Sequence, residues 1–228
     1  MKIDYQSVAG TFMPETLDEQ DKMVREFLAN VPYFSNKEKL KTIIVPHAGY
    51  IYSGEVAAYG YKQLIGSGFT KIILVGPSHR VNFSGIIEEI CDHSVEVQLP
   101  FIRNVLPQAE ILPIVYGEIE GSELAKIIEH KADEKSVIIV SSDLSHYYPY
   151  KTACLLDDIA NKAIPSADLK KVEEEVEACG KTGIMALLHI AQKSSWRGKL
   201  FIYKNSGDTA ADKSAVVGYG CYGFYNLV

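Results

Sequence analysis

The sequence predicts an α/β fold with a mostly parallel or mixed central sheet flanked by helices. Apolar β-branched runs alternate along the chain with segments whose apolar residues recur at helical spacing. This alternation is typical of parallel strands that are joined by crossover helices. No composition shift, repeat or low-complexity segment divides the 228 residues, so we expect a single domain over 1–228.

The first two thirds of the chain carry this alternation. A helix is predicted over 17–30, where Val24 and Leu28 lie on one apolar face. The elements that follow are strand 42–46, helix 55–65, strand 71–75, an excursion over 84–90 with strand character, helix 95–106, strand 111–116, helix 122–131 and strand 136–141. Pro100 either kinks its helix or marks the first turn, and Ser122 is a suitable N-cap.

The last third of the chain has a different pattern. Residues 152–193 are predicted to be mainly helical, because two apolar stripes recur there at helical spacing. Two strand-like runs, 199–203 and 214–225, follow. Glycines inside the second run indicate a bulge or a close approach of backbone.

Composition excludes several classes of protein. Apolar residues make up 47% and charged residues 23%, which is ordinary for a soluble globular protein. The net charge of −6 and the lack of a dense basic patch argue against nucleic acid as a partner. The segment Met1-Lys2-Ile3-Asp4-Tyr5-Gln6 lacks the apolar stretch of a signal peptide, and no later run approaches 18 apolar residues, so we expect a cytoplasmic protein without a membrane partner. The four cysteines are scattered and form no C-x-x-C pair.

Three histidines follow predicted buried strands. His47, His79 and His146 each stand just after a β-branched run, among polar turn-forming residues. If these runs lie side by side, the imidazoles converge at the carboxyl edge of the sheet, where α/β proteins bind ligands. Imidazole binds transition metals and transfers protons near neutral pH. A single histidine at a strand end would more often have only a structural role, as a hydrogen-bond partner of the following loop. Three histidines at equivalent positions favour a functional site.

The histidines at the first two strand ends are candidate metal ligands. His47 and His79 have neighbouring glycines that let backbone approach a ligand. Asp208, in the polar turn 205–209, is the candidate for an anionic third ligand. Two histidines and one carboxylate suit a non-haem Fe²⁺ site, and Zn²⁺ would accept the same set. The spacing fits equally well with an Asp208 that only stabilises its turn.

Further polar residues are candidates for catalysis and substrate binding. Asp143 precedes His146 by three residues and could orient it as a general acid or base. A serine hydrolase is disfavoured because no G-x-S-x-G elbow is present. His93 and Glu96 share one helix face and, with Tyr52, are predicted to bind substrate, although capping explains His93 equally well.

Several ordered segments together resemble the Memo family, which includes the prokaryotic proteins called AmmeMemoRadiSam system protein B. The matching segments are Val8-Ala9-Gly10-Thr11-Phe12-Met13-Pro14, residues 45–54, Gly76-Pro77-Ser78-His79, residues 93–101, residues 141–146, Cys179-Gly180 and Asn205-Ser206-Gly207-Asp208. The resemblance covers essentially the whole chain.

This resemblance implies a fold like that of class III extradiol dioxygenases. It places His47 and His79 at the metal position and Asp143 and His146 beside them. Animal members carry a cysteine as third ligand, whereas our alignment puts Asp208 or Thr209 there. The thiolate that would favour copper is then missing, and the site is nearer to the two-histidine, one-carboxylate set of the dioxygenases. Animal members are implicated in phosphotyrosine peptide binding and redox signalling, and the prokaryotic name implies association with a radical SAM protein.

Three hypotheses for function follow. The first is a metal-dependent redox enzyme, in which Fe²⁺ held by His47, His79 and Asp208 activates dioxygen or a substrate while His146 moves a proton. Zn²⁺ and copper are the alternative metals, and the substrate is an unidentified small molecule or peptide. The second is a non-catalytic module that binds an anionic or phosphorylated peptide. The third is metal-assisted hydrolysis.

Overall fold

The computed structural model of the protein describes residues 7–34, 38–210 and 212–226. The helices are α1 (Leu17–Asn30), α2 (Tyr50–Lys62), α3 (His93–Glu96), α4 (Leu99–Val105), α5 (Gly121–Lys131), α6 (Tyr150–Ala163), α7 (Leu169–Glu175), α8 (Lys181–Lys193) and α9 (Ser206–Thr209). The strands are β1 (Lys39–Val45), β2 (Lys71–Pro77), β3 (Ile86–Ile87), β4 (Glu110–Tyr116), β5 (Ser136–Ser141), β6 (His146–Tyr148), β7 (Arg197–Asn205) and β8 (Val216–Asn226). None of the helices in these ranges is both long and apolar enough to cross a membrane.

Eight strands in the described ranges form one mixed sheet. Along its main path the order is β3-β4-β2-β5-β1-β8-β6, and β7 pairs with β8. The four central strands β4, β2, β5 and β1 are parallel, with Ile43 opposite Ile139 and Ile73 opposite Ile138. The strands outside them pair antiparallel. The prediction of a single α/β domain is therefore confirmed, and of the two predicted sheet types, mostly parallel or mixed, the sheet is mixed.

Helices cover both faces of the sheet. Along β1, Ile43 and Val45 pack into a cluster that includes residues of α1, α2 and α4. Ile44, which points to the opposite face, packs into a second cluster that includes residues of α5 to α8. Because neighbouring residues of a strand point to opposite faces, a β-branched run without polar interruptions is what a sheet buried on both sides requires.

The prediction of a single helix over 95–106 is wrong. The segment forms two short helices, α3 and α4, separated at Val97 and Gln98. Gln98 is buried, and its side-chain amide donates hydrogen bonds to the carbonyl oxygen of Pro46 and to Oγ of Ser141, both at 2.9 Å. These bonds tie the junction of the two helices to the carboxyl edge of the sheet. Pro100 lies in the first turn of α4, one of its two predicted positions.

Several other elements differ from the prediction in length or number. The excursion over 84–90 contains only the two-residue strand β3, and the helical region over 152–193 consists of three helices. The two final strands are confirmed: β7 extends two residues beyond the predicted run at each end, and β8 begins two residues later and ends one residue later than predicted. Neither β6 nor α9 was predicted. Gly218 in β8 marks a close approach, since a Cβ atom there would lie 2.0 Å from Oδ2 of Asp157.

The carboxyl edge of the parallel strands positions the polar residues. His47 lies two residues beyond the end of β1, and His79 lies two residues beyond the end of β2. The segment 142–145 continues from the end of β5, and its Ser142 N–H donates to the carbonyl oxygen of Val45. The fold therefore gathers these residues at the edge where α/β proteins bind ligands.

Candidate metal centre

Three histidines converge at this edge. His47, His79 and His93 each offer a ring nitrogen, and these three atoms lie within 4.8 Å of one another. The ring centroids are 5.0 Å apart for His47 and His79, 5.4 Å for His47 and His93, and 4.4 Å for His79 and His93. His93 joins the group because α3 begins beside the end of β2, where Oγ of Ser94 donates to the carbonyl oxygen of Pro77.

Asp92 lies directly behind two of these imidazoles. Its Oδ1 atom is 3.0 Å from Nδ1 of His79 and 3.2 Å from Nδ1 of His93. Asp92 is 1% exposed. Burial opposes its ionisation, but hydrogen bonds from the ring and backbone of His79 and from the Ser94 N–H hold its pKa well below the usual range. Asp92 is therefore a buried carboxylate that stays ionised.

His47 has a neutral partner instead. Its Nδ1 atom is 3.0 Å from Oγ of Ser141, and its backbone N–H donates to Oδ1 of Asp143 at 2.8 Å. Burial and the neighbouring His79 and His93 rings lower the pKa of His47 well below its usual range. Burial likewise lowers the pKa of His93 to about 4. Both rings are therefore neutral at pH 7, the form in which imidazole binds metal ions.

A cysteine sulfur contacts this group. Sγ of Cys179 lies 3.2 Å from Nε2 of His47 and accepts a hydrogen bond from the N–H of Asp143, also at 3.2 Å. Cys179 is placed by the segment before α8, where its own N–H donates to the carbonyl oxygen of Asp143 at 3.3 Å. Burial raises the pKa of this thiol to about 12, so it is protonated at neutral pH.

The spacing of Asp143 and His146 predicted a hydrogen bond between their side chains, but in the described residues the two side chains have other hydrogen-bond partners. The Asp143 carboxylate accepts hydrogen bonds from the backbone N–H groups of His47 and Ala48, whereas the His146 ring bonds to the backbone of Leu144. Burial raises the pKa of Asp143 to about 7, and burial lowers the pKa of His146. Both side chains line the same cavity as the histidine group, although they are not a hydrogen-bonded pair there.

The cavity has a volume of about 580 Å³ and opens to solvent. Its lining combines the polar group with aromatic rings and small residues. The lining residues are Phe12, His47, Ala48, Gly49, Tyr52, His79, His93, Asp143, His146, Tyr147, Ser206, Ala210, Asp212, Ala215, Val217 and Tyr219. Phe12 packs on His93 with ring centroids 4.8 Å apart. In the described part of the chain, no lysine or arginine lines the cavity.

The residues predicted to bind substrate take different places. Tyr52 lines the cavity, and His93 belongs to the histidine group itself. Glu96 is not a lining residue. Its buried carboxylate accepts hydrogen bonds from the hydroxyl of Ser7 and from the N–H of Val8, the latter at 3.0 Å. Glu96 thus anchors the segment that carries Phe12.

Asp208 is not brought together with His47 and His79. Its Oδ1 atom accepts a hydrogen bond from the hydroxyl of Tyr150 at 2.7 Å, and its Oδ2 atom accepts one from the N–H of Asn205 at 3.0 Å. Asn205 and Asp208 form the capping box of α9. The hydroxyl of Thr209 donates to the carbonyl oxygen of Ser206 at 3.2 Å. Both residues are engaged in the local structure of α9 rather than in the histidine group.

Sequence reasoning gave Asp92 no role at the candidate centre, did not name His93 as a ligand candidate, and noted Cys179 only as part of a family motif. The segment that begins at His93 and the Cys179-Gly180 pair were both part of the family resemblance. The carboxylate of Asp92, directly before His93, was the third available signal. Joining them to His47 and His79 required knowing that α3 and α8 begin at the same edge of the sheet.

Comparisons with known proteins point to one family. The family model described as Memo-like protein matches residues 5–89 and 87–222. A MEMO1 family protein of Metallosphaera sedula is 33% identical, and the match covers 77% of this chain and 80% of the relative. A MEMO1 family protein of Aquifex aeolicus is 32% identical and covers 96% of this chain and 98% of the relative. One of Sulfurisphaera tokodaii is 30% identical, covering 93% and 96%.

Proposed function

The chain belongs to the Memo family, and we propose that it is a metal-dependent oxidoreductase whose metal is held by His47, His79 and His93. The observation that carries this proposal is the convergence of three imidazole nitrogens within 4.8 Å at the wall of an open cavity. Asp208 is replaced in this proposal by His93, because Asp208 is engaged in capping α9.

The residues present fit a divalent transition metal. Burial keeps His47 and His93 neutral, so their lone pairs are available. Three imidazoles suit iron, copper, zinc and nickel, and they leave coordination positions open on the cavity side. Bound Fe²⁺, which we favour, would supply Lewis acidity and one-electron chemistry. The thiol of Cys179 supports a soft or borderline metal over Mg²⁺ or Ca²⁺.

The residues around the histidines would handle protons and exclude water. The carboxyl group of Asp143, with a pKa of about 7, can hold or release a proton near neutral pH. His146 faces the same cavity and is a second candidate for proton transfer. Phe12, Tyr52 and Tyr219 supply aromatic surface against which a substrate can pack.

The lining disfavours the hypothesis of an anionic or phosphorylated peptide. Recognition of phosphate in proteins commonly uses arginine or lysine, because their charge-assisted hydrogen bonds are the strong ones. The described lining contains neither residue, and it contains the carboxylate of Asp212. We therefore propose a substrate without a strong negative charge.

Elemental analysis of protein purified anaerobically without a metal-binding tag tests the proposal. We expect about one iron per chain in the wild type and a large loss in His47→Ala. His130→Ala, which removes an exposed histidine from α5, is the matched control and should keep the metal. Stoichiometric zinc in place of iron or copper would favour hydrolysis and reject the oxidoreductase. Absence of any stoichiometric metal would reject the metal centre.

A further inference from the structure

Asp92 contacts two of the three proposed ligands at once. We propose that Asp92 is a positioning residue that fixes the tautomer of both His79 and His93, so that both Nε2 atoms are free to bind a metal. The inference deepens the proposed function and rests on it for the role of the metal. Its first consequence, the tautomer, is a property of the metal-free protein.

The contacts determine which nitrogen carries hydrogen. An ionised carboxylate can only accept hydrogen bonds. Oδ1 of Asp92 lies 3.0 Å from Nδ1 of His79 in a hydrogen bond, so this Nδ1 atom must be the donor. The same oxygen lies 3.2 Å from Nδ1 of His93, where its negative charge favours hydrogen on Nδ1 rather than on the more distant Nε2. A neutral imidazole carries one N–H. The remaining nitrogen in each ring, Nε2, is therefore an acceptor with a free lone pair.

The carboxylate is itself held rigidly. Oδ2 accepts the backbone N–H of His79 at 2.8 Å, and Oδ1 accepts the N–H of Ser94 at 2.9 Å. Asp92 also caps α3, the helix that begins with His93. Backbone from the end of β2 and from the start of α3 thus converges on one side chain. The same bonds that set the ring tautomers also fix the distance between the two rings.

Asp92 also brings a negative charge to the centre without being a ligand. A carboxylate behind a metal-binding imidazole fixes its orientation and raises its basicity. Here one carboxylate serves two imidazoles, whereas His47 relies on the neutral hydroxyl of Ser141. The sequence analysis predicted an anionic ligand at Asp208. In this proposal Asp92 provides the negative charge instead, from a position next to His79 and His93 and not as a ligand.

The variant Asp92→Asn tests the positioning of the histidine rings while leaving the fold intact. Asparagine is as good an N-cap as aspartate, so α3 should be retained. Its amide has only one acceptor oxygen, which cannot serve both rings and both backbone N–H groups. An amide nitrogen turned towards the rings would require Nδ1 to accept, which places the hydrogen on Nε2. Either orientation disturbs at least one ligand.

The first measurement is the histidine tautomer in metal-free, ¹⁵N-labelled wild-type protein, read from long-range ¹H–¹⁵N NMR spectra. We expect Nδ1–H for both His79 and His93. Nε2–H at either ring would overturn the inference, whether or not Asp92→Asn folds. This result does not depend on metal binding, so it is distinguishable from a failure of the proposed function.

The second measurement is affinity for Zn²⁺ alone, by competition with a chelator. Loss of such a positioning contact typically costs about 10- to 100-fold in metal affinity, and we expect this loss in Asp92→Asn. Asp212→Asn removes a carboxylate from the wall of the same cavity and should change affinity much less. Equal losses of Zn²⁺ affinity in the two variants would mean that Asp92 acts only through its charge, and this result would overturn its positioning role.

Discussion

Sγ of Cys179 and Nε2 of His47 lie 3.2 Å apart, although 132 residues separate them in the sequence. The contact places a thiol beside the nitrogen that His47 would offer to a metal. The sulfur also accepts the N–H of Asp143, so the geometry is held from two sides. A soft donor therefore stands next to three borderline ones, which bears on the choice of metal.

Cys179→Ser should lower affinity for Cu⁺ more than affinity for Fe²⁺, because sulfur prefers soft metals and a serine oxygen does not. Competition with a chelator under anaerobic conditions measures both affinities. Cys154→Ser, at a cysteine whose sulfur receives a hydrogen bond from Asn205 and which is not in the histidine group, is the control and should change neither. An unchanged Cu⁺ affinity in Cys179→Ser would remove the thiol from the coordination sphere.

The buried Asp157 should make stability depend on pH. Burial raises its pKa, although the N–H of Ser145 and the hydroxyl of Tyr203 donate to its carboxylate. A raised carboxyl pKa gives stability that is full below the unfolded value of 3.8 and declines as pH rises through the folded value. Relative to wild type, Asp157→Asn should therefore gain thermal stability between pH 4 and pH 7.

Melting temperatures of the two proteins at pH 4 and pH 7 give this difference directly. Asp158→Asn removes an exposed carboxylate from the same helix and controls for the loss of charge from α6. A difference between wild type and Asp157→Asn that stays constant over this range would contradict the buried, raised pKa of Asp157.

Gly218 is predicted to be essential for packing around the same carboxylate. A Cβ atom there would lie 2.0 Å from Oδ2 of Asp157, so Gly218→Ala must displace the carboxylate and its hydrogen bonds. We expect a loss of about 1–3 kcal/mol in the free energy of unfolding, typical of overpacking. Denaturant unfolding measures it. Gly49→Ala, whose added Cβ has its nearest neighbours at 3.6 Å, should cost less.

The sequence predicted what depends on local pattern. The β-branched runs before His47 and His79 identified the strands, and strand alternation with helices identified the edge where both residues lie. The helix break at Gln98 was not predictable from periodicity. It depends on hydrogen bonds from a buried amide to Pro46 and Ser141, which are distant in sequence.

The proposed third metal ligand could not be identified from local sequence patterns. A search for a carboxylate in a polar turn led to Asp208, but the Asn-x-x-Asp pattern there has a local purpose, because it is a capping box. His93 and Cys179 enter the centre only through the packing of α3 and α8 at the sheet edge. Contacts between residues that are distant in sequence cannot be predicted from the spacing of residues within one segment.

The central claim is that His93, and not Asp208, completes the metal centre with His47 and His79. Anaerobic titration of the metal-free protein with Fe²⁺, in wild type, His93→Ala and Asp208→Ala, tests it most directly. We expect wild type and Asp208→Ala to bind about one equivalent with similar affinity, while His93→Ala loses tight binding. Retained affinity in His93→Ala together with lost binding in Asp208→Ala would contradict the account.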